Sequence, residues 1–239
     1  MRWGTYASPD DGSVHPGLLD DGMTFGLTGT GSLAELLGDD GAKLREAAPR
    51  ALADPYEVIP EFETDLLAPI PSPPSIRLAA ATAAVDVRGP FDAVPPTVPD
   101  LGCRLELGAI IGRPGAGLDA SSAPAHVAGY TLLGVWTSGE AEFAVTMGPH
   151  LVTPDELPGP VQVLVTVNDR PAADGGVNDL EGVFAPVIAA ASRAGELTTG
   201  TVVGCGALCR VALTAGDEVV LRADALGVLD HRLADSLQG

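Results

Sequence analysis

The sequence predicts a mostly β protein with some α structure, an α+β fold. It divides into a small N-terminal domain over residues 1–62 and a larger rolled, barrel-like mixed sheet over 63–239. Three observations lead there. Short β-branched and apolar runs bounded by turn residues recur along the chain, whereas the larger part holds only one stretch with sustained helical spacing. The tail packs four strand candidates into residues 201–233, a density that suits a rolled or barrel-like sheet. An aperiodic, proline-rich segment over 55–74 separates the two parts and reads as a connection.

Taken in order, residues 1–30 alternate apolar runs with turn signals at Pro9-Asp10-Asp11-Gly12 and Asp20-Asp21-Gly22, which suggests a small meander. Short helices are expected over 32–37 and 42–52. Residues 104–111 and 127–136 read as strands. "VQVLVTVNDRPA" reads as a strand running into an Asn168-Asp169 hairpin turn. Over 179–193, Leu180, Val183, Phe184, Val187 and Ile188 fall on one side of a helix, and Pro186 predicts a kink or a late start there. The closing strands are expected at 201–205, 211–213, 218–223 and 228–233. No internal repeat and no nucleotide-binding glycine loop is present.

Charge excludes whole classes of partner. Acidic residues outnumber basic ones 32 to 13, a formal charge of −19. A polyanion without a basic patch is repelled by nucleic acid and by anionic membrane surfaces, so neither is expected as a partner. The opening residues carry no signal-peptide pattern, and the apolar helical stretch near 184–191 is too short to span a bilayer. With three cysteines and no CxxC pair, the expectation is a cytoplasmic protein with reduced thiols. Lys43 is the only lysine and falls in a solvated helix, which argues against Schiff-base chemistry.

The run "CRLELGAIIG" over 103–112 carries the one conspicuous charge pair. In a strand, residues i and i+2 share a face, so Arg104 and Glu106 stand side by side in an otherwise apolar strand. They form either an internal ion pair or the wall of a site. Cys205 and Cys209 read as small buried thiols or, with a base nearby, as nucleophiles. His126 reads as structural, and His150 as a structural residue or an acid–base candidate. Tyr130 and Trp136 are core residues or an aromatic wall. Glu140 and Glu142 read as a solvated turn.

The order of motifs resembles the fumarylacetoacetate hydrolase family: "LLAPIPSPPSIR" (66–77), "LELGAIIGRPG" (105–115), "HVAGYTLLGVW" (126–136), "MGPHLVTPDEL" (147–157) and "GDEVVLRADALGVLDHRL" (216–233). The likeness covers nearly the whole chain. It implies that family's C-terminal domain fold behind the small N-terminal domain, and a homodimer. It also implies a magnesium, manganese or calcium ion held by carboxylates, which chelates a dicarbonyl or 2-oxo acid and stabilises enolate charge. Against that pattern the first glutamate of Glu-x-Glu is Arg104 and only the second is kept, as Glu106. The Asn-Asp is Gly134-Val135, an acid is replaced by Leu78, the histidine by about Val85 and the lysine by about Ala141. The threonine of the loop that grips the substrate carboxylate is replaced by Ala207. Two bordering loops, 88–101 and 136–142, look shortened.

These departures predict no metal and no other cofactor. They leave Arg104, Glu106 and His150 as catalytic candidates and Tyr130, Trp136, Val135, Leu78, Cys205 and Ala207 as candidates to line a small-molecule site. The function expected is a metal-independent cyclisation, isomerisation or rearrangement of a bulky, mostly apolar biosynthetic intermediate with a dicarbonyl or acid headgroup. The alternatives are a catalytically inactive binding or partner protein, or a residual C–C hydrolase or decarboxylase of the family type.

Overall fold

The computed structural model describes residues 1–38, 41–78, 86–94, 98–157 and 159–234. Its first part holds β1 (Arg2–Ala7), β2 (Val14–Asp20), β3 (Met23–Gly26), α1 (Ala42–Ala53), β4 (Val58–Pro60), β5 (Asp65–Leu67), β6 (Ile76–Arg77) and β7 (Asp86–Arg88). Three long or mid-length hairpin strands follow: β8 (Leu101–Ile111), β9 (Val127–Ser138) and β10 (Ala141–Val152). Then come β11 (Val161–Val167), β12 (Arg170–Val177), α2 (Leu180–Ala194), β13 (Val202–Gly204), β14 (Cys209–Ala212), β15 (Glu218–Ala223) and β16 (Gly227–Arg232).

Among the described residues the strands form two sheets. The larger runs β4-β3-β2-β1-β10-β9-β8-β13-β6, with β5 on β1, β7 on β10 and β14 on β8. The smaller runs β12-β11-β15-β16. The spine of the larger sheet is the antiparallel β8–β9–β10 unit, whose strands are buried almost end to end. Both of its faces are covered, which explains why these strands read as continuous apolar runs and not as an alternation. On one face, Cys103, Leu105, Leu107, Tyr130, Leu132 and Trp136 pack with the smaller sheet and with α2. On the other, Leu133, Val135 and Ile110 pack with Trp3, Leu44 of α1 and Leu78.

The strand and helix expectations hold closely in the second part. Asn168 and Asp169 turn the β11–β12 hairpin with φ of 50° and 60°, the left-handed pair a two-residue hairpin loop needs. Pro186 lies inside α2 without ending it. The first part differs more. Residues 33–36 form a single 3-10 turn, and the proline-rich segment contains β4 and β5. β4 pairs with β3 and β5 with β1, so the strands on either side of residue 62 join the same sheet, and β1 continues it onto β10. Apolar Val58, Ile59, Leu66 and Leu67 supplied strand residues that the prolines masked as a signal.

Helix α2 starts where its N-cap fixes it: Asp179 Oδ1 accepts the Gly182 backbone N–H at 3.0 Å. Replacing Asp179 by Ala is expected to lower stability by about 1 kcal/mol, read from the urea midpoint. An unchanged midpoint would show that packing alone sets the start of α2.

Candidate functional site

Strand register decides which residues can share a site. On β8, Arg104 lies opposite Val135 and Glu106 opposite Leu133 of β9, and Arg210 of β14 lies opposite Arg104 on the other side. Arg104, Glu106, Val135 and Arg210 therefore share one face. Tyr130 and Trp136 lie opposite Ala109 and Cys103, on the other face. Arg104 and Glu106 are the pair their spacing predicts, with Nε 3.4 Å from Oε1.

A third residue completes the cluster. Arg104 Nη2 donates to Glu142 Oε1 of β10. The side chains of Arg104, Glu106 and Glu142 are only 9%, 2% and 3% exposed. Glu142 is thus a buried carboxylate on a strand, not part of a solvated turn. A β-bulge puts it there. Glu142 pairs with Thr137 and Ala144 with Trp136, so Phe143 is an extra residue on β10. Had the alternation running back from Val145 continued through Phe143 without a bulge, Glu142 would point to the opposite face; the bulge re-aims it at Arg104.

Glu106 is held from its other side as well. Its Oε2 accepts the Gly206 backbone N–H at 3.1 Å. The approach requires glycine at 204, where a Cβ would stand 2.6 Å from that oxygen and 2.9 Å from Leu78 Cδ2. Leu78 and Glu106 thus both lie over Gly204. Burial pushes the Glu106 carboxyl above the usual carboxylate range, opposed by Arg104 and by the Gly206 N–H. Neighbouring Cys205 accepts the Leu107 N–H through Sγ at 3.3 Å, and burial raises its thiol to about 11, so it is a neutral thiol at ordinary pH and not a nucleophile. Ala207 follows Gly206 in the half-buried loop between β13 and β14.

Arg104 also forms part of the wall of an open cleft of about 680 Å³, together with Arg210, Thr137, Asp100, Val98 and Leu213. Among the described residues Arg104 Nε makes no hydrogen bond. Of the guanidinium's five N–H donors, Glu142 engages Nη2, so the carboxylates do not use up its donor capacity.

The other residues named from sequence lie elsewhere. Trp136 is fully buried in the core, donates from Nε1 to Thr146 Oγ1 at 3.3 Å and meets His231 edge-on. Tyr130 packs against Phe184 of α2 at 5.1 Å between ring centroids. Both belong to the face turned away from Arg104, so the register removes them from a site built on it. His150 is buried near Glu61 Oε1, 3.7 Å from its Nε2, beside a separate cavity of about 230 Å³ that Arg2 and Arg222 help to line. Burial, and then the charge of Arg2, lowers its pKa to about 3, so it stays neutral. Its contacts do not bring it to the Arg104 cluster. Val85 lies outside the described residues.

The residues present do not fit the hard divalent cation that the resemblance implies. Such an ion needs several free oxygen ligands. Glu106 directs one oxygen at Arg104 and the other at a backbone N–H, and Glu142 gives Oε1 to Arg104, which leaves its Oε2 as the one carboxylate oxygen of the cluster without a partner among the described residues, too few for such an ion. Gly134 and Val135 offer no side-chain oxygen. Among the described residues no group of three or more His, Cys, Asp or Glu is placed to hold a metal.

Sequence reasoning missed Glu142 and Arg210. A bulge leaves no periodic trace, so Glu142 had no signal in the chain. Arg210 had one: it directly precedes the expected strand at 211–213, and one more residue of strand places it opposite Arg104.

The Fumarylacetoacetate (FAA) hydrolase C-terminal family model matches residues 61–234. The chain is 26% identical to the human mitochondrial oxaloacetate tautomerase FAHD2A over 82% of this chain and 77% of that protein. It is 25% identical to the FAHD2A protein of Bos taurus over 98% and 91% of the two chains. Among solved structures, maleylpyruvate hydrolase from Sphingobium sp. SYK-6 superposes with a TM-score of 0.82 at 22% identity, covering 99% of this chain and 100% of that one. The 5-carboxymethyl-2-hydroxymuconate delta-isomerase from Mycobacterium smegmatis superposes with a TM-score of 0.74 at 20% identity, over 99% and 100% of the two chains.

Removing Glu142 leaves a buried guanidinium with one carboxylate and no hydrogen bond. Glu142→Ala is expected to destabilise the protein by about 3–5 kcal/mol. Glu140→Ala, two residues away and exposed, should cost less than about 0.5 kcal/mol. Equal effects in chemical denaturation would show that Arg104 does not depend on Glu142.

Proposed function

This chain belongs to the fumarylacetoacetate hydrolase family, and from that premise we propose that it is a metal-independent isomerase or tautomerase. It acts on a 1,3-dicarbonyl or 2-oxo acid with an apolar extension, through an enolate whose negative charge is stabilised by Arg104. The single observation that carries this reading is Arg104, a residue of the cleft wall whose guanidinium is fixed between Glu106 and Glu142.

A preorganised cation aimed at developing oxyanion charge lowers a barrier without reorganising during the reaction. The two carboxylates hold the guanidinium in place and set its orientation. Glu106, with its carboxyl raised by burial, binds a proton more readily than a free carboxylate, as a group that moves a proton between carbon and oxygen must. A cleft of about 680 Å³ accepts a ligand well beyond a four-carbon acid in size, and Val98 and Leu213 offer it apolar wall. The tautomerase and isomerase names among the similar proteins agree with chemistry that begins by enolisation. Cyclisation or rearrangement of a biosynthetic intermediate begins at the same enolate.

A second reading is a binding or partner protein without catalysis. It is supported by the depth at which Glu106 and Glu142 lie, which a purely structural ion cluster would share. Turnover separates the two. Enol-to-keto conversion of oxaloacetate or an acylpyruvate, followed by ultraviolet absorbance, is expected to proceed equally with and without EDTA. Arg104→Lys should lower kcat by roughly 10²–10³-fold while melting stays cooperative. Activity abolished by EDTA and restored by magnesium or manganese would refute the metal-independent reading. Unaltered activity in Arg104→Lys would remove Arg104 from the chemistry.

A further inference from the structure

Arg210 stands directly across the strand pair from Arg104, on the same face and at the wall of the same cleft. Like charges directly opposite each other on neighbouring strands are unfavourable. Arg104 is compensated by Glu106 and Glu142. Arg210 is exposed and has no carboxylate within ion-pair distance among the described residues, although Asp100 shares the cleft wall. Its charge reaches Glu106, which it pulls toward ionisation. The chain has 13 basic residues against 32 acidic ones, yet two arginines line this cleft, and of the two Arg210 is the one without an ion-pair partner among the described residues. A local rule broken at the mouth of a cleft is one that a bound anion would relieve.

We propose that Arg210 is the anion-recognition residue of this cleft. It holds the carboxylate of an acid whose adjacent carbonyl oxygen reaches Arg104, which selects 2-oxo acids over esters, amides and neutral diketones. This rests on the proposed function for its carbonyl end. The carboxylate end rests on Arg210 alone. A guanidinium pairs with a carboxylate through parallel N–H donors, so charge and geometry both contribute. Carbonyl and carboxylate on adjacent carbons match two side chains that project side by side from neighbouring strands about 4.5–5.5 Å apart. The Thr137 hydroxyl, on the same face at that wall, adds a polar group beside them.

The test is calorimetric titration with oxalate, and with uncharged oxamide as control, on the wild type, Arg210→Ala and Arg210→Lys, each checked for unchanged melting. The wild type is expected to bind oxalate and to discriminate against oxamide. Arg210→Ala should weaken oxalate by about tenfold or more, with Arg210→Lys in between, and KM for oxaloacetate should rise in step. Oxalate affinity unchanged in Arg210→Ala, or no oxalate binding by the wild type, overturns the inference. EDTA-resistant turnover that is indifferent to Arg210→Ala removes Arg210 and keeps the proposed function. Oxalate binding lost in Arg210→Ala, in a protein that turns over no oxo acid, does the reverse.

Discussion

A guanidinium that is more than nine-tenths buried must have carboxylates beside it, and the centre of this structure is arranged around that requirement. Arg104 receives one from its own strand, two residues on, and the other from the far strand of the β8–β9–β10 unit. Each in turn depends on a backbone device. Glu106 reaches its place because residue 204 has no side chain and because Gly206 turns an N–H toward it. Glu142 does so because β10 carries one residue more than β9 beside Phe143. The cluster is buried on every side but the cleft, which strengthens its internal attractions and makes an unpaired member expensive.

The same arrangement shapes the chemistry proposed for the cleft. In a metal-dependent family member, carboxylates hold a cation and the cation holds the substrate. In the reaction proposed for this chain, a covalently attached cation takes that place and the carboxylates hold it instead. A guanidinium is always charged and presents donors in a fixed fork, so it accepts an oxyanion without needing to be loaded from solution. It is weaker than a divalent ion as a Lewis acid. That suits proton redistribution through an enolate better than scission of a carbon–carbon bond. The surrounding molecule, at −19, attracts no anion on its own account, so recognition falls to the few basic groups that line the cleft.

Most of the fold was legible because its signals are local. The β11–β12 turn needs left-handed backbone at two successive positions, and Asn168-Asp169 announces it. The β15 range matches its expected bounds, and α2 begins one residue after its capping aspartate. The Arg104–Glu106 pair follows from period-two alternation alone. What failed depended on pairing between distant segments. Prolines at 55, 60, 69 and 71 spoke for a connection, while pairing with β3 and β1 drew the intervening residues into strands. Tyr130 and Trp136 were plausible aromatic wall until register placed them on the far face of the sheet. Glu142 was hidden by a bulge, a change of a single residue that reverses which side of the sheet a side chain meets.

The central claim is that Arg104 occupies, chemically, the place of a divalent cation. Its most direct test is titration of the purified wild-type chain with Mn²⁺, followed by electron paramagnetic resonance. The free-ion signal should grow with each addition from the first, as it does in buffer alone. Loss of that signal until one Mn²⁺ per chain has been added would contradict the claim, because it would mean that Glu106 and its neighbours still hold a metal.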